Sequence, residues 1–217
     1  MIDFALPDEH LKLARKTEQF IKEEIVPLER DPRQGPHGPA EALRLEMVQR
    51  ARLAGLLSPH GPKEYGGLGL DHRGMAVVFE AAGWSTLGPL ALNIQAPDEG
   101  NTNLLDKVAT PAQKARWLAP LVRGEIRTVF SMTEPDGGAG SDPGLMKTTA
   151  RRVGDDFVIN GRKWLITGAP GAALNIVMAK TEDPDGRDLG ATMLLVDMDA
   201  PGFKIKRLLN TMDSNSP

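Results

Sequence analysis

The chain has 217 residues, 41% of them hydrophobic, enough to bury a sizeable core as one large domain or two small ones. A formal net charge of −3 without a basic stripe interleaved with aromatics argues against nucleic-acid binding, and zero cysteines exclude disulfides, thiolate chemistry and Cys-ligated zinc while fitting a reducing compartment. No stretch approaches a membrane span, and Met1-Ile2-Asp3-Phe4 lacks a basic segment backed by an apolar core, so the expectation is a cytoplasmic protein without a signal peptide.

Up to about Glu125 the apolar residues recur three and four apart, the period of helices. Pro7-Asp8-Glu9 opens the first, with Pro at the first helical position, acids complementing the dipole, and Leu11, Ala14, Ile21 and Ile25 on one face until Pro27. After a Gly/Pro loop from Gln34 to Pro39, Leu43, Met47, Ala51 and Ala54 carry a second helix, stopped by Gly55. Gly66-Gly67-Leu68-Gly69 lacks the preceding strand of a phosphate cradle and reads as a tight turn, after which Asp71 caps a helix built on Met75, Val78, Phe79 and Ala82. Thr110-Pro111-Ala112-Gln113 spells a capping box, with Trp117, Leu118 and Leu121 following on the inner face.

From Ile126 the period drops toward two. Phe157-Val158-Ile159 and Arg162-Lys163-Trp164 flank Asn160-Gly161, a dipeptide suited to a hairpin turn because both its positions tolerate positive φ, and Gly154-Asp155 marks the turn before it. Ile176 to Lys180, Ala191 to Asp197 and Phe203 to Leu208 read as further strands, separated by Asp183-Pro184-Asp185-Gly186 and Pro201-Gly202. The expected fold class is α+β: a helical domain over residues 1–125, then an antiparallel, barrel-like β-domain over 126–217 that is incomplete at its C-terminal end.

Two runs carry the chemistry. Thr133-Glu134-Pro135-Asp136-Gly137-Gly138-Ala139-Gly140-Ser141-Asp142 lets backbone N–H groups approach a planar polar ligand unobstructed, and Lys163-Trp164-Leu165-Ile166-Thr167-Gly168 supplies a second edge and a hydroxyl. Taken alone the first run is a turn between strands; the two together read as a flavin site, provided Thr133, Ser141 and Thr167 converge. Glu134 is a proton acceptor by residue type, but followed by Pro in a loop it reads better as a structural hydrogen-bond acceptor. His10, His37, His60 and His72 are scattered without ligand spacing, so no metal site is assigned.

These residues resemble the acyl-CoA dehydrogenase family along nearly the whole chain. Pro62-Lys63-Glu64-Tyr65-Gly66-Gly67-Leu68-Gly69 resembles its helix-linking turn, and Ala96-Pro97-Asp98-Glu99-Gly100-Asn101 with Gln113-Lys114 through Trp117-Leu118 is similar to its later helices, nearest the branch that prefers longer or branched acyl chains. Met132 to Asp142 resembles its flavin loop, Asn160 to Thr167 its second flavin strand, and Pro201-Gly202-Phe203 its strand-opening Pro-Gly-Phe. The resemblance implies an FAD enzyme in which a carboxylate takes the α-proton of an acyl-CoA thioester while the β-carbon delivers hydride to flavin N5, giving a trans-2-enoyl-CoA. Polarisation of the thioester oxygen makes the α-proton acidic enough for a carboxylate. It implies FAD contacts at Phe130, Met132, Thr133, Gly140, Ser141, Leu165, Ile166 and Thr167, with Ser141 also touching the acyl-CoA substrate. It further implies electron-transfer flavoprotein as acceptor and a homodimer or homotetramer in the full-length form.

Three departures bear on these expectations. Two extra residues within Asp136-Gly137-Gly138 lengthen the flavin loop; Trp164 stands one position before the family's usual aromatic, at which this chain has Leu165; and the family's C-terminal bundle, with its catalytic carboxylate, has no counterpart here. The expectation is a fragment with no catalytic residue of its own that binds FAD weakly. Its rivals are a noncatalytic remnant or interaction module of the same fold, or a related acyl-CoA oxidase or flavin monooxygenase.

Overall fold

The computed structural model describes residues 5–182 and 187–209. The chain divides into two compact units, Met1–Ile126 and Arg127–Pro217. The first is helical. Helix α1 (Asp8–Phe20) starts after Pro7, which is the N-cap and not the first helical residue, and places Asp8 and Glu9 at the positive end of the dipole. The helical path continues through a π turn, Ile21–Ile25, and a 3-10 turn, Val26–Arg30. Pro27 has no N–H to donate and crowds the carbonyl four residues back, so regular geometry stops there. Ile21 and Ile25 are fully buried in a core shared with Leu43, Met47 and Ala51 from α2 (Glu41–Leu53), and with Leu56, Val78 and Leu92 further along the chain.

The loop between these helices closes as a two-residue ladder, β1 (Gln34–Gly35) against β2 (Gly38–Pro39). Gly55 ends α2 in the left-handed region at φ 67°, with Leu56 N–H donating to Ala51 O and Gly55 N–H to Arg52 O, the double bond of a Schellman motif. Asp71 caps α3 (His72–Ala82) by accepting from Gly74 N–H at 2.8 Å. Next come α4 (Gly88–Ala91) and α5 (Asp98–Val108). The capping box at Thr110 forms as read from the sequence and launches α6 (Pro111–Gln113), which runs through a π turn, Lys114–Leu118, into α7 (Ala119–Val122). Leu118 and Leu121 are fully buried; Trp117 is only half-buried, with the Arg116 guanidinium over its ring.

The run Gly66 to Gly69 is indeed a turn. Leu68, Gly69 and Leu70 N–H donate to the carbonyls of Ser58, Gly61 and Pro59, so two backbone segments lie in direct contact. A Cβ on Gly67 would stand 2.2 Å from Gly61 O.

The second unit is built on β6 (Leu174–Glu182), whose Leu-Asn-Ile-Val-Met-Ala run is mostly buried, as befits a central strand. One edge of β6 pairs antiparallel with β7 (Asp188–Asp197) along its length. The other edge is shared end to end by two strands that both run parallel to it: β3 (Thr128–Ser131) along Leu174 to Val177, and β4 (Thr149–Val153) along Lys180 to Glu182. β5 (Asp156–Asn160) completes the sheet antiparallel to β4. The α+β class holds, but the sheet is mixed and open among the described residues, where an antiparallel barrel-like sheet was expected. Alternation reports which face a residue occupies and not which way its neighbour runs.

Two predicted strands are absent. The hairpin turn is Gly154-Asp155, with Gly154 at φ 63°, and the β4–β5 ladder ends at the Thr149–Asn160 pair. Asn160-Gly161 makes no turn, and Arg162 to Trp164 is drawn instead against the Gly-rich run. Phe203 to Leu208 pairs with no strand among the described residues, although Phe203 N–H closes the preceding turn onto Ala200 O. The turn expected at Asp183 to Gly186 lies outside the described residues.

Gly67→Ala sets a methyl group against backbone with no flexible side chain to yield, and is expected to cost at least about 2 kcal/mol. Urea denaturation of the full chain at neutral pH checks this; an unchanged midpoint contradicts the close approach.

Candidate functional site

Because β3 and β4 occupy the same edge of β6, the segment between them leaves that edge and returns to it almost where it left. Ser131 aligns with Val177, and Thr148 O already accepts from Lys180 N–H at 2.8 Å. The Gly-rich run is therefore a loop with a narrow neck. Glu134 stands in the neck with its side chain only 2% exposed. Its carboxylate accepts from the N–H of Lys147 at 2.6 Å and of Thr148 at 2.9 Å, just before the returning strand, and more loosely from Ala139 N–H at 3.4 Å. Its own N–H donates to Ala139 O at 2.7 Å.

Between Glu134 and Ala139 the chain makes a tight turn, with Gly138 N–H on Pro135 O and positive φ at both central residues, Asp136 (59°) and Gly137 (70°). The extra length of this loop is thus absorbed in an exposed turn, and Gly138-Ala139 stays buried beneath it. A Cβ on Gly138 would come within 2.5 Å of the Glu134 carboxylate, so the position admits only glycine without rearrangement.

The second run lies alongside the first. Trp164 N–H donates to Thr133 O at 3.1 Å, and the Thr133 hydroxyl donates to Trp164 O at 3.0 Å. The Lys163 ammonium, its side chain 11% exposed, donates to Met132 O at 2.9 Å and to Glu134 Oε1 at 2.8 Å. Immediately beyond, Leu165 adopts φ 55°, a left-handed conformation that costs a branched residue energy, with its side chain turned outward at 55% exposure.

Of the expected contact residues, Phe130, Met132, Thr133, Gly140 and Ile166 are half-buried, while Ser141, Leu165 and Thr167 are exposed. In β3 only Phe130 is part-exposed, between the buried Val129 and Ser131, and Met132, just past the strand, is part-exposed as well. The three hydroxyls do not hydrogen-bond to one another among the described residues; the runs are joined through residues 132–134 and 163–164. The amides of Gly140, Ser141, Leu165, Ile166 and Thr167 donate to no group of the chain among the described residues. Two stretches of available N–H donors therefore border the joined runs. The Thr133 hydroxyl, its proton committed to Trp164 O, offers a ligand its lone pairs.

Burial opposes ionisation of Glu134, but the Lys163 ammonium and the Lys147 and Thr148 amides outweigh it and hold the carboxyl at about 2, against an ordinary 4.5. Such a group is a structural anion and a poor proton acceptor. Lys163 heads the second run, but its pairing with Glu134 is not legible in the sequence. Its partner is 29 positions away, and no local pattern marks the pair. Elsewhere, burial lowers His60 to about 4, leaving it neutral near pH 7. No cluster of metal-ligating side chains occurs among the described residues.

Residues 7–125 match the acyl-CoA dehydrogenase N-terminal domain and residues 129–216 the acyl-CoA dehydrogenase middle domain. The chain belongs to the acyl-CoA dehydrogenase family. It is 36% identical over 215 residues to the Mycobacterium tuberculosis protein named "Probable acyl-CoA dehydrogenase FadE2", a match covering 95% of this chain and 52% of that one. Among solved structures it is similar to an acyl-CoA dehydrogenase from Geobacillus kaustophilus, with TM-score 0.75, 30% identity and coverage of 96% and 53%. It is also similar to a glutaryl-CoA dehydrogenase from Mycobacterium smegmatis in complex with FADH2, with TM-score 0.70, 25% identity and coverage of 94% and 50%. The chain thus spans about half the length of each of these relatives.

Glu134→Gln removes a buried charge from its partners and is expected to destabilise the chain by about 3 kcal/mol near pH 7. The native carboxyl titrates below its ordinary range, so its contribution is complete above about 4.5 and disappears as pH falls through about 2. Denaturation of both proteins across pH is expected to show their difference shrinking over that window; a difference constant with pH contradicts an ionised Glu134.

Proposed function

We propose that this chain forms the flavin-holding part of an acyl-CoA dehydrogenase, serving the α,β-dehydrogenation of an acyl-CoA thioester to a trans-2-enoyl-CoA. The observation that carries this is the pair of joined runs bordered by unengaged amides at Gly140-Ser141 and Leu165 to Thr167. That donor set fits a planar heterocycle whose edges carry nitrogen and carbonyl acceptors, and FAD is the cofactor it suits. Bound FAD supplies the hydride acceptor. Phe130 and Met132 offer the ring apolar contact, the amides hold its polar edge, and Thr133 accepts through its hydroxyl oxygen. Ser141, exposed at the far lip of the loop, is the residue that meets the acyl or pantetheine part of the substrate.

Glu134 does not serve as the base, since its carboxylate is buried and engaged with Lys163, Lys147 and Thr148. The α-proton is taken by a carboxylate outside these residues, within a homo-oligomeric assembly that passes electrons to an electron-transfer flavoprotein. No helix of the described residues is long and apolar enough to cross a membrane, and we place the reaction in the cytoplasm.

Titration of the purified chain with FAD tests this proposal. Quenching of flavin fluorescence is expected to saturate near one FAD per chain, with weak affinity, and acyl-CoA added anaerobically is expected to leave the flavin absorbance unbleached. Absence of saturable quenching overturns the flavin assignment; full bleaching by the chain alone overturns the external base.

A further inference from the structure

Beyond the groups expected to touch FAD, Lys163 has a geometry that ordinary loop support does not require. Its ammonium bonds the residues on either side of Thr133, taking Met132 O at 2.9 Å and the Glu134 carboxylate at 2.8 Å, while the next residue, Trp164, bonds Thr133 itself through both its N–H and its carbonyl. Residues 163–164 therefore clamp residues 132–134 by four hydrogen bonds, two of them from one buried cation. The same carboxylate also ties the outgoing and returning ends of the Gly-rich loop through Lys147 and Thr148. One charge pair closes the loop neck and fixes the second run against it, and the left-handed turn at Leu165 begins directly after the clamp.

We infer that the Lys163–Glu134 pair is a latch that sets the spacing between the two donor stretches, making Lys163 and Glu134 positioning residues for the flavin. The inference rests on FAD being the ligand. Replacing Lys163 by Met keeps the apolar stem and removes the donors, so Met132 O loses a partner and Glu134 becomes a buried anion with amide partners only. Both donor stretches then loosen together, although neither touches Lys163. A cation that served only to fill space would give a different result, because methionine fills nearly the same volume.

The test compares the full chain with Lys163→Met, Lys163→Arg and Glu134→Gln by amide hydrogen exchange without ligand and by FAD fluorescence titration. In Lys163→Met, exchange at the hydrogen-bonded amides that flank the two stretches, those of Gly138, Lys147, Thr148 and Trp164, is expected to speed up together by about tenfold or more, and the FAD dissociation constant to rise by about tenfold. Exchange in β6 and β7 should stay as in the parent. Lys163→Arg, which keeps the charge and two donors, is expected to recover most of both losses. If Lys163→Met does not fold, Glu134→Gln carries the same expectation. Parental exchange and affinity in the variants overturn the latch, as does loosening spread equally over β6 and β7. A parent chain that binds no FAD overturns the flavin assignment instead, while exchange still decides whether the two stretches are coupled.

Discussion

The second unit depends on one buried carboxylate. Glu134 is followed by a proline, sits in a loop and is nearly inaccessible, a combination that is unfavourable for an anion unless every lone pair finds a donor. It finds them in the amides of Lys147 and Thr148 and in the Lys163 ammonium. These partners come from two places in the chain, residues 147–148 and Lys163, so ionisation of one group specifies where three segments meet, its own included. The arrangement contributes specificity at least as much as stability, since a partly satisfied version of the same network would be worse than an apolar one.

That convergence is possible because of the sheet. β3 and β4 share an edge of β6 and run the same way, so the chain between them can return without reversing direction and its two ends lie close together. The neck is narrow because the strands make it so, and the carboxylate then closes it. The tight turn at Asp136-Gly137 takes up the surplus length outside the neck. Past the buried Gly138-Ala139, the amides of Gly140 and Ser141 are left unengaged. The fold thus separates a buried polar joint from an accessible donor surface a few residues away, an arrangement suited to holding a flat polar ligand without spending its own hydrogen bonds.

Much of the helical unit was legible. The capping box at Thr110, the Asp71 cap and the Gly55 terminator are local signals whose partners lie within a few residues, and each forms as expected. The sheet was legible in its faces but not in its directions. Asn160-Gly161 carried the hairpin signal, yet the turn with two positive φ values is Asp136-Gly137, inside the run first read as a ligand loop. Local chemistry permits both, and the clamp at residues 132–134 and 163–164 decides between them by drawing Arg162 to Trp164 away from a strand. The Lys163–Glu134 pair was invisible because two distant residues joined inside the fold leave no local pattern. Thr133, Ser141 and Thr167 share no hydrogen bond among the described residues, and the amides of Gly140, Ser141 and Leu165 to Thr167 are left without acceptors, which residue identities alone do not display.

If Glu134 is the joint described, its carboxyl carbon will keep the chemical shift of an ionised group far into acid. Carbon-detected NMR titration of the specifically labelled residue in the native chain measures this directly. The expected result is a carboxyl ionised through pH 4, with its midpoint near about 2; a midpoint at the ordinary 4.5 would mean that the Lys163 and amide contacts do not hold the joint closed.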